Sequence, residues 1–214
     1  MHEPFASPAW KKWVIKQIKD RQPSYVVQVG DSRDYYCFSK FSRSHSVMTP
    51  KQEINEGRNK LEDFWAEVVA ACPKAKRYQL LGNHDVRPLK RILDAIPEAE
   101  DLIDWEAQHT YDGVECRIDE KDELILGRVF LHHGHKRHGD HARYNQAPTV
   151  VGHLHTGGVV YYQNRDGIYW ELNAGYGGDP DQTCFRYRYQ KKIFGWTQGL
   201  GVIDEDGPKF VIFK

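Results

Sequence analysis

Four short motifs distribute metal-binding side chains along this 214-residue chain. They read GDSRD from residue 30, GNHD from residue 82, HGH from residue 133 and GHLH from residue 152. Carboxylate, amide and imidazole groups of this kind are suitable ligands for divalent ions such as Mn²⁺. The motifs therefore predict a metal site, and the hydrolysis of a phosphate ester is the chemistry that two such ions would serve best.

Asp31 is the candidate for a ligand shared by two ions. A bridging carboxylate offsets the repulsion between two cations held ~4 Å apart. The alternative is a plain turn residue, since Gly-Asp pairs are common in turns. Asn83 offers a neutral amide oxygen to one ion, and its own alternative is a left-handed turn residue beside Gly82.

His84 directly follows this predicted ligand and could move a proton. We expect it to act as a general acid that protonates the leaving alkoxide. A metal ligand or a packed core histidine is the alternative. A proton-donating histidine needs a partner that fixes its ring, and Asp34 is the first candidate for that partner, with Asp85 the second.

Histidines are concentrated in one stretch, because seven of the chain's 11 lie between residues 132 and 155. His133, His153 and His155 are the predicted imidazole ligands. His153 and His155 are two residues apart, so they would face the same side of an extended segment. Each could serve one ion, or both could serve the same ion. His135 is predicted to contact substrate or a ligand, with a plain loop residue as the alternative.

The predicted strands place these motifs at strand ends. Apolar runs at 25–29, 78–81, 128–132 and 149–151 each stop where a motif begins, and ligand sites in α/β proteins lie at such ends. Ser7-Pro8 and Thr49-Pro50 predict two helix starts. After Gly157, four strands joined by turns indicate a mainly antiparallel half. We expect one α/β (α+β) domain over residues 1–214.

The bulk composition is that of a globular protein with no net charge and a pI near 7.2. Charge therefore gives no sign of attraction to nucleic acid or membranes. The four cysteines have no C-x-x-C spacing, so a cysteine zinc site is not expected. With no signal peptide and no long apolar run, we expect a cytoplasmic protein without a membrane partner. The oligomeric state stays open.

In this order, the motifs resemble those of the calcineurin-like metallophosphoesterase superfamily. The resemblance implies a four-layer αββα sandwich with two divalent ions, most often Mn²⁺, with Fe, Zn²⁺, Mg²⁺ or Ni²⁺ as alternatives. One ion would be held by His2, Asp31 and His155. The other would be held by Asp31, Asn83, His133 and His153. The resemblance also assigns the general acid to His84 and its orientation to Asp34. We further expect Asp85 and His135 to lie in the outer shell or to contact substrate.

Two further segments look like the small phosphoesterases of bacteriophages and prophages. They are GDSRDYYCFSKFSR from residue 30 and FGWTQGLGVI from residue 194. The Ser/Thr protein phosphatases carry a phosphate-binding arginine where this chain has Tyr35, which argues against that branch. A phage-encoded protein would act in the host cytoplasm.

The chain departs from the family pattern at its beginning. The family's first motif is D-x-H, and the aspartate would stand before Met1 if His2 is its histidine. We therefore expect the first strand to be missing or truncated, leaving a gap beside residues 25–29. Either the start is assigned too far downstream, or a short protein binds one ion weakly. In both cases the His2 ion should bind more weakly than the Asn83 ion.

The leading functional prediction is a phosphodiesterase, including a phage nuclease. Residues 185–192 alternate aromatic and basic side chains, a pattern that can stack bases and hold phosphates but also describes an ordinary strand. One alternative is a phosphomonoesterase that acts on nucleotides or phosphoproteins. Another is a binding module that lost activity together with the first aspartate, and the nearly complete ligand set argues against it.

Overall fold

A computed structural model describes residues 1–40, 48–186 and 195–214. Helix α1 (Pro8–Arg21) begins where the Ser7 side chain accepts a hydrogen bond from the Trp10 amide. Helix α2 (Pro50–Ala71) begins with a capping box formed by Thr49 and Gln52. Both predicted helix starts are confirmed, and each uses a side-chain cap followed by proline. Two shorter helices follow, α3 (Arg87–Ala95) and α4 (Asp140–Asn145).

The first sheet is parallel and has the order β1-β2-β3. Its strands are β1 (Tyr25–Val29), β2 (Lys76–Leu80) and β3 (Glu115–Arg117). The predicted strands at 25–29 and 78–81 are confirmed to within two residues. The three-residue strand β3 was not predicted, because Glu-Cys-Arg carries no alternating pattern long enough to identify.

The second sheet has five strands in the order β4-β5-β6-β8-β7. They are β4 (Leu124–Leu126), β5 (Val129–His132), β6 (Thr149–Val151), β7 (Gly157–Asn164) and β8 (Gly167–Ala174). Strands β5, β6 and β8 are parallel, and the edge strands β4 and β7 run antiparallel to their neighbours. A hairpin of β9 (Gly199–Asp204) and β10 (Gly207–Ile212) contacts β7 and β8. The chain is thus mixed α/β, with antiparallel hairpins in its second half.

Two hydrophobic clusters hold these layers together. Helices α1 and α2 cover one face of the first sheet through Trp10, Leu61 and Trp65, against which Val26 packs. The other face meets the second sheet through a cluster of Leu80, Leu131, Val150 and Leu172. Each fully buried leucine or valine contributes about 1.5–3 kcal/mol. The second cluster lies directly beneath the strand ends that carry the motifs, so it fixes their spacing.

Strand β1 pairs on one side only among the described residues, with β2. Its Tyr25 side chain is 46% exposed, although the sequence reads as a buried strand. Past the end of β1, the Met1–Glu3 backbone runs beside Asp31–Arg33, where the His2 amide donates to Asp31 O at 2.8 Å. This pairing carries His2 to the same edge as Asp31.

None of the helices in the described ranges combines the length and hydropathy needed to cross a bilayer. The stretch 185–192 is described only to residue 186, so its predicted alternating strand lies mostly outside the described residues. Of the two segments that support the phage resemblance, residues 41–43 and residue 194 also lie outside the described residues.

Candidate metal centre

The carboxyl ends of four parallel strands bring the motifs together. Gly30 and Asp31 follow β1, Asn83 follows β2 closely, and His133 and His153 follow β5 and β6. Because the two sheets pack face to face, their strand ends meet at one edge. Two groups of side chains at this edge have the spacing of metal ligands, one with His133 and His153 and one with His2 and His84, and Asp31 belongs to both.

The first donor set consists of Asn83, His133 and His153 around Asp31. The Asn83 Oδ1 atom lies 3.1 Å from His133 Nε2 and 3.0 Å from His153 Nδ1. The two imidazole nitrogens are 3.2 Å apart, and Asp31 Oδ2 is 3.3 Å from His133 Nε2. These four atoms form a compact group of one carboxylate, one amide and two imidazoles.

The second donor set contains His2 and His155. Their Nε2 atoms are 3.0 Å apart, and Asp31 Oδ2 lies 4.0 Å from His2 Nε2. His84 Nε2 is also 4.0 Å from the same carboxylate oxygen. The structure therefore places His153 in one set and His155 in the other, which is one of the two arrangements that the sequence left open.

The ring orientations fit a cation between these atoms. His2 Nδ1 faces Asp34 Oδ1 at 2.9 Å and His133 Nδ1 faces Val29 O at 2.9 Å, so in each ring Nδ1 is the donor. Each Nε2 then presents its lone pair to the centre. Ligand bonds of about 2.1 Å place neighbouring donors roughly 3.0–3.4 Å apart. The spacings of 3.0–3.3 Å within the Asn83 set and of 3.0 Å between His2 and His155 match that range, whereas Asp31 Oδ2 lies farther from His2 Nε2, at 4.0 Å.

Four of the predicted ligands have left-handed backbone conformations. The φ angles are +70° at His2, +52° at Asp31, +66° at His153 and +60° at His155. Such angles are uncommon for residues other than glycine, and they concentrate at functional sites. The prediction of an extended segment through His153 and His155 is wrong, because two left-handed residues turn the chain and direct these rings to different donor sets.

Burial keeps most of these imidazoles neutral, as metal binding requires. It lowers the pKa of His2 to about 4 and lowers the pKa of His153 and His155 as well. Burial acts in the same direction on His133, but the adjacent Asp31 carboxylate outweighs it and raises that pKa. Although burial opposes ionisation of Asp31, the surrounding histidines hold its pKa well below the usual range.

Asp34 contacts both His2 and His84. Its Oδ1 atom lies 2.9 Å from His2 Nδ1 and 3.0 Å from His84 Nδ1, and its side chain is buried. Its position beside His84 is the one that the sequence predicted for an orienting carboxylate. The contact with His2 was not predicted. These contacts with the two histidines outweigh burial and lower the pKa of Asp34.

Asp85 has a different surrounding from the one predicted. Its fully buried carboxylate accepts hydrogen bonds from the Ser32, Arg33 and Gly82 amides and from the Ser32 hydroxyl. These bonds tie the GDSRD turn to the GNHD turn. Asp85 therefore shapes the two loops, and its burial rules it out as a direct substrate contact in this conformation.

His135 is exposed, and its ring lies beside that of His141, with centroids 5.4 Å apart. It lines a cavity of about 450 Å³ that reaches Asn83, His133 and His153. Buried His141 accepts hydrogen bonds from the His135 and Lys136 amides, which fixes the HGH loop. His135 therefore faces the cavity beside the Asn83 donor set, and His141 supports the loop.

Two further features of the centre were missed from the sequence. Arg87 Nη2 lies 2.8 Å from His84 Nε2, and its three-residue spacing at a helix start was the available signal. On the other side, His155 packs against Tyr176 and Trp196, with ring centroids 4.9 and 4.3 Å away. No sequence pattern indicated this aromatic wall, because its members are distant along the chain.

Comparison with known proteins gives one distant relative. The chain is similar to the "Gene 54 protein" of Mycobacterium phage D29, with 23% identity over 227 residues that cover 95% of this chain and 86% of that protein. No family model matches the chain. The relative is encoded by a phage, which agrees with the predicted phage-type origin, and at this identity it assigns no family.

Proposed function

We propose that this chain is a metal-dependent phosphoesterase that cleaves phosphodiester bonds at a dinuclear centre. The observation that carries the proposal is the pair of donor sets sharing Asp31, with His84 4.0 Å from the shared carboxylate. A superfamily sandwich of four layers, phage origin and action in the host cytoplasm are part of the same proposal. The distant phage relative supports the origin only.

Bound divalent ions would neutralise the phosphate charge and make water more acidic, which is the chemistry that the side chains cannot supply alone. His2, Asp31 and His155 would hold one ion, and Asp31, Asn83, His133 and His153 the other. In the hydrolysis, a water oxygen bonds to phosphorus while the bond from phosphorus to the leaving oxygen breaks. His84 gives that oxygen a proton from Nε2, and Asp34 holds the opposite ring nitrogen.

The cavity beside the Asn83 donor set favours a diester substrate. It has a volume of about 450 Å³, within the range of sites for small organic ligands. Tyr144, which is 78% exposed, lines it together with Lys121 and Lys136, and Glu120 and Glu123 lie in the same lining. A second ester substituent needs such a space, and cationic and aromatic groups suit a nucleotide. A nuclease is therefore the form of the activity that we propose.

The test is hydrolysis of bis(p-nitrophenyl) phosphate by the chain in Mn²⁺. We expect activity that falls at least about 100-fold in Asn83→Ala and in His84→Ala, since each removes a ligand or the general acid. His138→Ala replaces a histidine outside both donor sets and should keep full activity. p-Nitrophenyl phosphate, run in parallel, separates the phosphomonoesterase alternative. Mn²⁺ binding without hydrolysis of either ester would contradict the proposal and favour the binding module.

A further inference from the structure

Arg87 is held at the centre by the start of a helix. It is the first residue of α3, and Pro88 follows it at a position where proline favours helix initiation. The Arg87 amide donates to His84 O at 3.1 Å, which places the two side chains one turn apart on the same side. The guanidinium therefore reaches the metal centre from a rigid element.

The guanidinium occupies the nitrogen that a general acid would use. Arg87 Nη2 is 2.8 Å from His84 Nε2, and arginine has only donors, so Nε2 must be the acceptor. The same Nε2 atom lies 4.0 Å from Asp31 Oδ2, so the contact lies at the centre itself. While Arg87 stays there, His84 cannot give a proton from Nε2.

The present partners of Arg87 are weak ones for a full positive charge. Nη1 donates to the backbone oxygen of Asp34 at 2.9 Å, and the nearest carboxylate oxygen in the described ranges, Asp34 Oδ2, is 3.8 Å away. Asp34 Oδ1 is already engaged by two histidines. A phosphate would offer the guanidinium two charged oxygens in a matching geometry, which is a stronger interaction.

The neighbouring arginine does not compete for this role. Arg33 is fully buried, and its Nη2 atom contacts Gln108 O and His109 at 2.8 Å. The Arg87 side chain keeps 19% of its surface exposed, so it has room to change partners. Among the described arginines, Arg87 is the one with a contact to His84 or Asp34.

We infer that Arg87 is a phosphate-binding residue of this site. Its guanidinium leaves His84 when the phosphate of a substrate enters and binds the non-bridging oxygens. Nε2 of His84 is then free to take a proton from solvent and pass it to the leaving oxygen. This inference rests on the proposed function, because it takes the reacting group to be a phosphate. It assigns Arg87 to substrate binding, a role that none of the four motifs carries.

The experiment measures binding of inorganic phosphate to the Mn²⁺-loaded chain by calorimetry. Arg87→Ala should weaken phosphate binding about tenfold or more, because a charge-assisted pair is lost. The phosphate affinity of Arg87→Lys should lie between those of the wild type and Arg87→Ala, since lysine keeps the charge but cannot make the bidentate contact of a guanidinium. Arg91→Ala removes an exposed arginine one turn further along α3 and should change the phosphate affinity less than about twofold. Mn²⁺ affinity should stay unchanged in all three.

The outcomes separate this inference from the proposed function. Wild-type protein that hydrolyses the diester, together with an Arg87→Ala variant of unchanged phosphate affinity and KM, overturns the inference and leaves the function standing. Loss of Mn²⁺ binding in Arg87→Ala would show a structural role and also overturn it. A loaded wild-type chain that neither binds phosphate nor hydrolyses the diester contradicts both.

Discussion

Replacing Asp34 with asparagine should weaken the binding of one metal ion and leave the binding of the other unchanged. The Asp34 carboxylate accepts from the Nδ1 atoms of His2 and His84 at 2.9 and 3.0 Å and is almost fully buried. Its hydrogen bonds in the described part of the chain reach neither Asn83 nor His133. The substitution keeps the shape of the side chain but removes the charge that holds His2 in its metal-binding tautomer.

The expected size follows from two independent magnitudes. A buried hydrogen bond to a charged group is worth about 1.5–3 kcal/mol. Of the two such bonds that Asp34 accepts, only the one from His2 affects metal binding. At about 1.4 kcal/mol per tenfold change, this corresponds to roughly 10–100-fold in affinity. Loss of an outer-shell partner of a metal-bound histidine typically costs about the same 10–100-fold. We expect a loss of this size for the His2 ion alone.

Titration of the metal-free protein with Mn²⁺, followed by electron paramagnetic resonance, resolves two dissociation constants. In Asp34→Asn the dissociation constant of the His2 ion should rise about 10–100-fold, and that of the Asn83-set ion should change less than about threefold. Asp94→Asn, an exposed carboxylate change on α3, is the matched control. If both constants rose equally, or if neither changed, the assignment of Asp34 to the His2 ion would be refuted.

Three further predictions concern the support of the centre and its pH response. Gly82→Ala should lower the Mn²⁺ content of purified protein at least about tenfold, because a Cβ there would clash with the Asp31 carboxylate and the His133 ring. On acidification, the Mn²⁺ affinity of the Asn83 set should begin to fall at a higher pH than the affinity of the His2 set, since the pKa of His133 is raised and that of His2 is lowered to about 4; the two Mn²⁺ dissociation constants measured against pH test this. Glu171→Gln should cost about 1–3 kcal/mol in urea unfolding at pH 7, because the buried carboxylate accepts the Gly139, His141 and Ala142 amides. Burial raises the pKa of Glu171, but its hydrogen bonds outweigh burial and lower that pKa in the folded state. The stability lost in Glu171→Gln should therefore be largest above about pH 4.3 and should diminish below it.

The sequence predicted well those parts of the structure that depend on local patterns. Strands β1 and β6 have the predicted bounds, and the caps at Ser7 and Thr49 begin α1 and α2 as expected. These features depend on apolar runs and on side-chain caps that neighbouring residues supply. The motifs converge for the same reason, because each one follows a strand and parallel strands end together.

The parts that could not be predicted depend on contacts between distant residues. The separation of His153 and His155 into two donor sets requires left-handed backbone at both, and no residue type signals this. The double contact of Asp34 depends on Met1–Glu3 running beside Asp31–Arg33, a pairing across about 30 residues. Likewise, Asp85 was a candidate partner of His84, yet its position was decided by three backbone amides of the adjoining turns.

Two ions that share Asp31 are proposed to act together on a phosphodiester. The most direct test is to titrate metal-free protein with Mn²⁺ while recording hydrolysis of bis(p-nitrophenyl) phosphate and the number of bound ions. We predict little hydrolysis at one equivalent and a steep rise as the second ion binds, with the whole response lost in Asp31→Asn. Full activity with a single ion, or no hydrolysis when two ions are bound, would contradict the account.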